Sequence, residues 1–176
     1  MAPRASVFVG LSVDGFIARA NGELDWLPHD DVEDHGYDAF VATIDAMLIG
    51  RHTYETVLGF GGWAYGTRPT YVLSSRPLRP APDGAVVHHV QGAPAEVMAR
   101  LASDGVRHAY VDGGVTVQRF LEAGLIDRLI LTRVPVLIGT GIPLFGPTSR
   151  DIRLRHLGTR SYPSGLVQSE YDVIRE

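Results

Sequence analysis

The sequence predicts an α/β fold in three layers: a mainly parallel, twisted sheet with helices on both faces and antiparallel strands at the C-terminal end. Three observations predict it. Short continuous apolar runs such as SVFVGL at 6–11 and RLILTRVPV at 128–136 read as strands buried on both sides. Helical patterns separate most of these runs, as crossovers between parallel strands require. After Val134 no helical pattern recurs, so the closing segments are expected to pair antiparallel.

In chain order, the first strand is 6–11 and the first helix 31–44. Strands follow at 46–49 (AMLI) and 70–73 (TYVL), with a helix at 52–58 between them and a weaker strand at 85–88. The helix at 94–103 carries the clearest punctuation, with Pro94 in its first turn, Glu96 behind it and Asp104-Gly105 as a stop. A strand at 108–111, a helix at 115–123 and the strands at 128–136 and 166–173 complete the series. With 176 residues and 45% hydrophobic content, the chain fits one domain spanning 1–176 with one sizeable core.

Composition removes several kinds of chemistry. Without cysteine there are no disulfides, thiol nucleophiles or thiolate metal sites. All 16 basic residues are Arg, so Schiff-base chemistry is absent and anions must be held by Arg, His or backbone N–H groups. A net charge of −4 gives no basic field for nucleic acid. No apolar run is long enough to span a bilayer and no signal core opens the chain, so a cytoplasmic setting is expected.

Three strand ends carry the pattern of an anion-binding crevice, in which glycine turns and helix N-termini present N–H groups. At Gly50-Arg51-His52-Thr53 a strand ends, glycine permits close backbone approach and a helix begins. Ser74-Ser75-Arg76 leaves the next strand with two hydroxyls and a guanidinium, donors suited to a phosphate on a ribose. Asp112-Gly113-Gly114-Val115-Thr116-Val117 is a third strand–glycine–helix junction, without the GxGxxG spacing. Asp112 stands beside this crevice and either faces its ligand or, the preferred reading, caps the helix at Val115. His88-His89 reads as one inward and one outward strand histidine, because adjacent strand residues cannot chelate one ion, and no metal site is expected. His29, Asp30 and Asp31 could bind a cation only with partners from elsewhere. Trp63 and Tyr65 sit on a Gly-rich loop, where they either stack on a flat ring or simply pack.

In order and content these motifs resemble the dihydrofolate-reductase-like superfamily, nearest to the reductase domain of bacterial riboflavin biosynthesis and its stand-alone relatives. The resemblance is carried by Ser12-Val13-Asp14-Gly15-Phe16-Ile17-Ala18, Trp26-Leu27-Pro28, Gly50-Arg51-His52-Thr53-Tyr54-Glu55, Leu73-Ser74-Ser75-Arg76, Gly113-Gly114 with Phe120-Leu121, Leu131-Thr132-Arg133 and the stretch from Pro135 to Phe145. It implies NADPH as cofactor and hydride transfer to a C=N or C=O carbon of a heterocyclic small molecule. The expected substrate is a 5-amino-6-(5-phosphoribosylamino)uracil-like compound, ahead of a dihydrofolate or pteridine.

Carried over by station, Gly10 and Ile17 flank the nicotinamide. Gly50, Arg51 and Thr53 hold phosphates, and Ser74, Ser75 and Arg76 surround the 2′-phosphate. Gly113, Gly114, Val115, Thr116 and Val117 line the pyrophosphate and ribose. Trp26, Phe40 and Arg68 fall on the substrate side with Thr132. The proton-handling acid is either Asp34, counting back from Gly50, or Asp30, counting on from Pro28. The same resemblance implies a homodimer. A reading of another class keeps the NADP pocket in a non-catalytic binding module.

Overall fold

The computed structural model describes residues 2–28 and 33–175. Among the described residues, ten strands and four helices run in the order β1 (Arg4–Ser12), β2 (Phe16–Ala18), α1 (Tyr37–Val41), β3 (Ala46–Gly50), α2 (Arg51–Leu58), β4 (Thr70–Leu73), β5 (Val87–Val90), α3 (Pro94–Ser103), β6 (His108–Asp112), α4 (Gly114–Glu122), β7 (Arg128–Val134), β8 (Ile142–Pro143), β9 (Leu154–Ser161) and β10 (Val167–Val173). Eight strands form one sheet in the order β5-β4-β3-β6-β1-β7-β10-β9. Neighbours from β5 through β7 are parallel, and β10 is antiparallel to both β7 and β9. The expected α/β class and antiparallel closing strands are therefore observed.

The helices separate onto two faces because strand side chains alternate. On one face Ala46, Leu48, Val111 and Leu131 pack beneath Val97, Met98 and Leu101 of α3 and Val117, Phe120 and Leu121 of α4. On the other, Met47, Tyr110 and Ile130 meet Phe40 of α1, while Ile49 and Val72 meet Tyr54 of α2.

The first helix is much shorter than the expected 31–44 stretch. Gly36, at φ 77°, holds a left-handed turn immediately before Tyr37, and only Tyr37–Val41 is helical. Residues 31 and 32 of that expectation lie outside the described residues, as do His29 and Asp30, so the cation-site residues His29, Asp30 and Asp31 and the candidate acid Asp30 fall there. Two short strands escaped the sequence pattern: β2 and β8 pair only with each other, in a small sheet of their own. The weaker strand expected at 85–88 is displaced to β5.

At the N-terminal ends of the strands, Ser6 Oγ lies 2.8 Å from His108 Nε2 and the Thr43 carbonyl lies 3.1 Å from Nδ1. A carbonyl only accepts, so Nδ1 carries the proton and Nε2 accepts from Ser6. Burial lowers the His108 pKa below its ordinary 6.5. The unfolded chain therefore binds the extra proton first as pH falls. This contribution to stability is complete above pH 6.5 and is lost as pH descends through the depressed native value. Urea midpoints measured between pH 8 and 5 are expected to fall on the acid side, and His108→Gln is expected to flatten that fall.

Candidate functional site

The parallel strands bring the C-terminal ends of β1, β3, β4 and β6 to one edge of the sheet, where a cavity of about 570 Å³ opens. Gly10, Ile17, Gly50, Arg51, Thr53, Gly113, Gly114, Val115 and Thr116 all line it. A second cavity of about 490 Å³ adjoins it, lined by Ser74, Ser75 and Arg76. Arg51, Leu73 and Arg119 border both. The three strand ends singled out in the sequence thus share one continuous cleft.

Local geometry explains why glycine stands at its turns. Gly113 has φ 95°, and a Cβ there would sit 2.5 Å from Thr53 Oγ1; a Cβ on Gly50 would sit 2.8 Å from Thr116 Oγ1. These residues bring the starts of α2 and α4 against each other. Neither helix has a side-chain cap: Gly50 and Gly113 occupy the N-cap positions. Uncapped first-turn N–H groups carry partial positive charge, which two facing helix starts aim into one cleft. Arg51 beside them is held by Glu55 at 2.6 Å.

The Ser74 hydroxyl is engaged locally, donating to the Arg76 carbonyl at 2.7 Å and accepting from the Arg76 N–H at 3.0 Å. That turn fixes the loop on which Ser75 and Arg76 are exposed. His89, the outward member of its pair, lies 2.8 Å from the Ser74 carbonyl, while His88 stacks on Tyr71 at 4.7 Å. Among the described residues no group of three or more His, Asp or Glu is placed to hold a metal.

The cover over the β1 end joins two stretches distant in sequence. Asp14 accepts N–H bonds from Gly139 at 2.8 Å and Ile138 at 3.3 Å, and Val13 N–H donates to the Val136 carbonyl at 2.9 Å. With the β2–β8 pair, this latch sets Ile17 and Ile142 over Gly114, where a Cβ would come within 2.8 Å of the Pro143 carbonyl. Leu27 closes the cavity from the other side, 3.0 Å from the place a Gly10 Cβ would take.

Several expected residues stand elsewhere. Val117 is buried in the core below α4. Phe40 packs against Phe8 and Tyr110, with ring centroids 5.1 Å from each, and does not line the cavity. Arg68 donates to the carbonyls of Ile44 at 3.2 Å and Val41 at 3.3 Å, which commits its fork to the end of α1. Trp26 is half-buried outside the cavity lining, and its Nε1 has no partner among the described residues. Thr132 is buried one strand from Gly10 and accepts from Gln168 Nε2 at 2.9 Å. Asp34, exposed, closes its own turn by accepting the Gly36 N–H at 2.7 Å. Trp63 packs edge-on against both Tyr54 and Tyr65.

An acid does occupy the cavity: Asp112. It is not the helix cap read from sequence, since its one hydrogen bond among the described residues comes from Gly113 N–H at 2.8 Å, before α4 begins. Burial raises its pKa above the ordinary carboxylate value, and the Gly113 bond only partly opposes this. Tyr37, Tyr65 and Tyr110 all lie within range of its charge. Its signal in the sequence was its place at the strand end before the glycine pair. Capping and catalysis use the same residue type there, so only geometry separates them.

The residues present fit a phosphorylated dinucleotide: two uncapped helix starts, glycines that admit its backbone, and Arg51, Arg76 and Arg119 along its length. The family model described as RibD C-terminal domain matches residues 4–168. The uncharacterized protein YwjB of Bacillus subtilis (strain 168) is 33% identical over 97% of this chain and 98% of its own. A crystal structure of a putative riboflavin biosynthesis protein from Shewanella sp. PV-4 superposes with a TM-score of 0.88 at 35% identity, over 99% of this chain and all of the other. A dihydrofolate reductase from Enterococcus faecalis, complexed with NADP(H), shares the fold at a TM-score of 0.65 and 19% identity, over 97% and 94% of the two chains.

Proposed function

Because this chain belongs to the RibD C-terminal domain family, we propose that it is an NADPH-dependent reductase of the riboflavin-biosynthesis type, acting on a pyrimidine- or pterin-like ring. The observation that carries the reading is the pair of uncapped helix starts, α2 and α4, facing one cleft that continues to Ser75 and Arg76. The cofactor supplies the hydride; the chain binds, orients and handles the proton. Arg51 and the N–H groups at the starts of α2 and α4 hold the pyrophosphate, and Ser75 and Arg76 hold the 2′-phosphate. Ile17 and Leu27 exclude water over Gly10. Asp112, whose pKa burial raises, gives a proton to the nitrogen or oxygen beside the reduced carbon.

The first assay follows NADPH absorbance with a 5-amino-6-(5-phosphoribosylamino)uracil and with dihydrofolate. Oxidation dependent on either supports the reading. A melting temperature raised by NADPH with no turnover of either compound favours a non-catalytic NADP-binding module. A charge-assisted hydrogen bond contributes about 1.5–3 kcal/mol. Arg76→Ala is therefore expected to lower the preference for NADPH over NADH by about 10- to 100-fold, read as the ratio of kcat/KM values.

No helix among the described residues is long and apolar enough to cross a membrane, and a cytoplasmic setting belongs to the same proposal. So does a homodimer. β9 is a sheet edge with nearly every residue exposed, including Leu154 and Leu157, and long exposed edges are ordinarily covered. Sedimentation equilibrium giving twice the chain mass would support it; the mass of one chain would refute it.

A further inference from the structure

The cover over the β1 end of the cleft is tied mainly to itself. Phe16 pairs with Pro143 and Ala18 with Ile142. Leu144 N–H donates to the Gly15 carbonyl at 3.0 Å, and Phe16 N–H to Ser12 Oγ at 3.0 Å. The Asp14 bonds to Ile138 and Gly139 close the same unit. Toward α4 it presents the apolar side chains of Ile17 and Ile142, set over Gly114. Apolar contact is non-directional, so it presses two surfaces together without fixing their spacing.

One side chain supplies the direction. Gln118 stands one helical turn beyond Gly114 on the same face of α4, and its Nε2 donates to the Pro143 carbonyl at 3.0 Å. The same carbonyl is the atom that a Gly114 Cβ would meet at 2.8 Å. It therefore rests on bare glycine backbone and is tethered by the amide beside it. Close packing holds that amide from the other side: a Cβ on Gly146 would lie 2.6 Å from Gln118 Oε1 and 3.0 Å from Cδ. Among the described residues this is the one hydrogen bond between α4 and the cover segments 12–18 and 135–146. Gln118 lines neither the main cavity nor the one at Ser75 and Arg76. It borders an apolar cavity of about 600 Å³ beside α4, with Leu121, Leu129 and Phe145.

We infer that Gln118 is a positioning residue: through the Pro143 carbonyl it sets the height of Ile17 and Ile142 above Gly114, and so closes the cover on the nicotinamide half of the cofactor. The inference rests on the NADPH reading above and deepens it. Without the amide the apolar contacts persist but the cover is free to lift, which admits water to the reacting ring. The phosphate stations are spared, since Arg51, Ser75 and Arg76 have no bond to Gln118 among the described residues.

The test is calorimetric titration with two ligands: NADPH, and 2′,5′-ADP, which has the adenosine and its 2′-phosphate but no nicotinamide. Gln118→Ala removes the amide, and Gln118→Met keeps its length without a donor. Both variants are expected to bind NADPH about three- to tenfold more weakly than the parent, the contribution of one neutral hydrogen bond. Both should bind 2′,5′-ADP within about twofold of the parent, which reports that α4 and the phosphate stations are intact. Unchanged NADPH affinity in Gln118→Ala, parent-like affinity in Gln118→Met, or an equal loss for both ligands would each overturn the inference and leave the reductase reading standing. A parent that binds neither ligand would overturn both.

Discussion

Asp112→Asn is expected to lower kcat by about two to four powers of ten, the range that a positioned proton donor contributes, while the affinity for NADPH stays within a few-fold of the parent. Steady-state kinetics and a melting-temperature titration with NADPH would separate the two effects. The pH profile gives a second signature. A proton donor works in its protonated form, so activity should decline as pH rises through the Asp112 pKa, which burial has raised; Asn should remove that limb. Stability should move the other way. A carboxyl whose folded pKa lies above the unfolded 3.8 costs stability once pH exceeds that unfolded value. The Asn variant should therefore melt higher at neutral pH while turning over far less, a combination that simple damage to the fold cannot produce. Equal turnover by the variant would remove Asp112 from the chemistry.

Gly113→Ala should abolish the rise in melting temperature that NADPH gives the parent. At φ 95° an alanine is strained, and its Cβ would come within 2.5 Å of Thr53 Oγ1. Such backbone strain costs of order 1–3 kcal/mol. The larger consequence is that relieving the clash pushes α2 and α4 apart, so their N–H groups no longer face the same anion. For the parent, cofactor at a hundred times its dissociation constant stabilises by about 2.7 kcal/mol. A variant retaining that full shift would show that the two helix starts do not cooperate in binding.

The strands were legible because a parallel strand covered on both faces is apolar along nearly its whole length, as residues 46–49 are throughout and 70–73 and 108–111 are after their first residue. β9 was not, since LRHLGTRS lies at an edge with nearly all its side chains in water, and exposure erases the alternation that marks a strand. β2 and β8 are three and two residues long and pair only with each other, too short for a hydrophobic period to announce them. The first helix shows how a local backbone requirement overrides pattern: the acids and aromatics between 31 and 44 look helical, but Gly36 turns left-handed and the helix waits until Tyr37.

At the site, the cofactor stations could be read because each is a strand end followed by glycine or a serine pair, features written locally. The substrate side could not. Phe40 and Arg68 were placed there by the resemblance, yet a short α1 turns Phe40 onto Phe8 and Tyr110 and leaves carbonyls at its end that capture the Arg68 fork. Asp112 hid behind an ordinary capping role because only the absence of a bond to α4 distinguishes the two.

The bond from Asp14 to residues 138 and 139 also has a consequence for engineering. It makes two distant sequence stretches a single inheritable part. Transplanting residues 12–18 into a homologous scaffold without residues 135–145 would deliver a tongue with nothing to fasten to, whereas moving both would carry the complete roof.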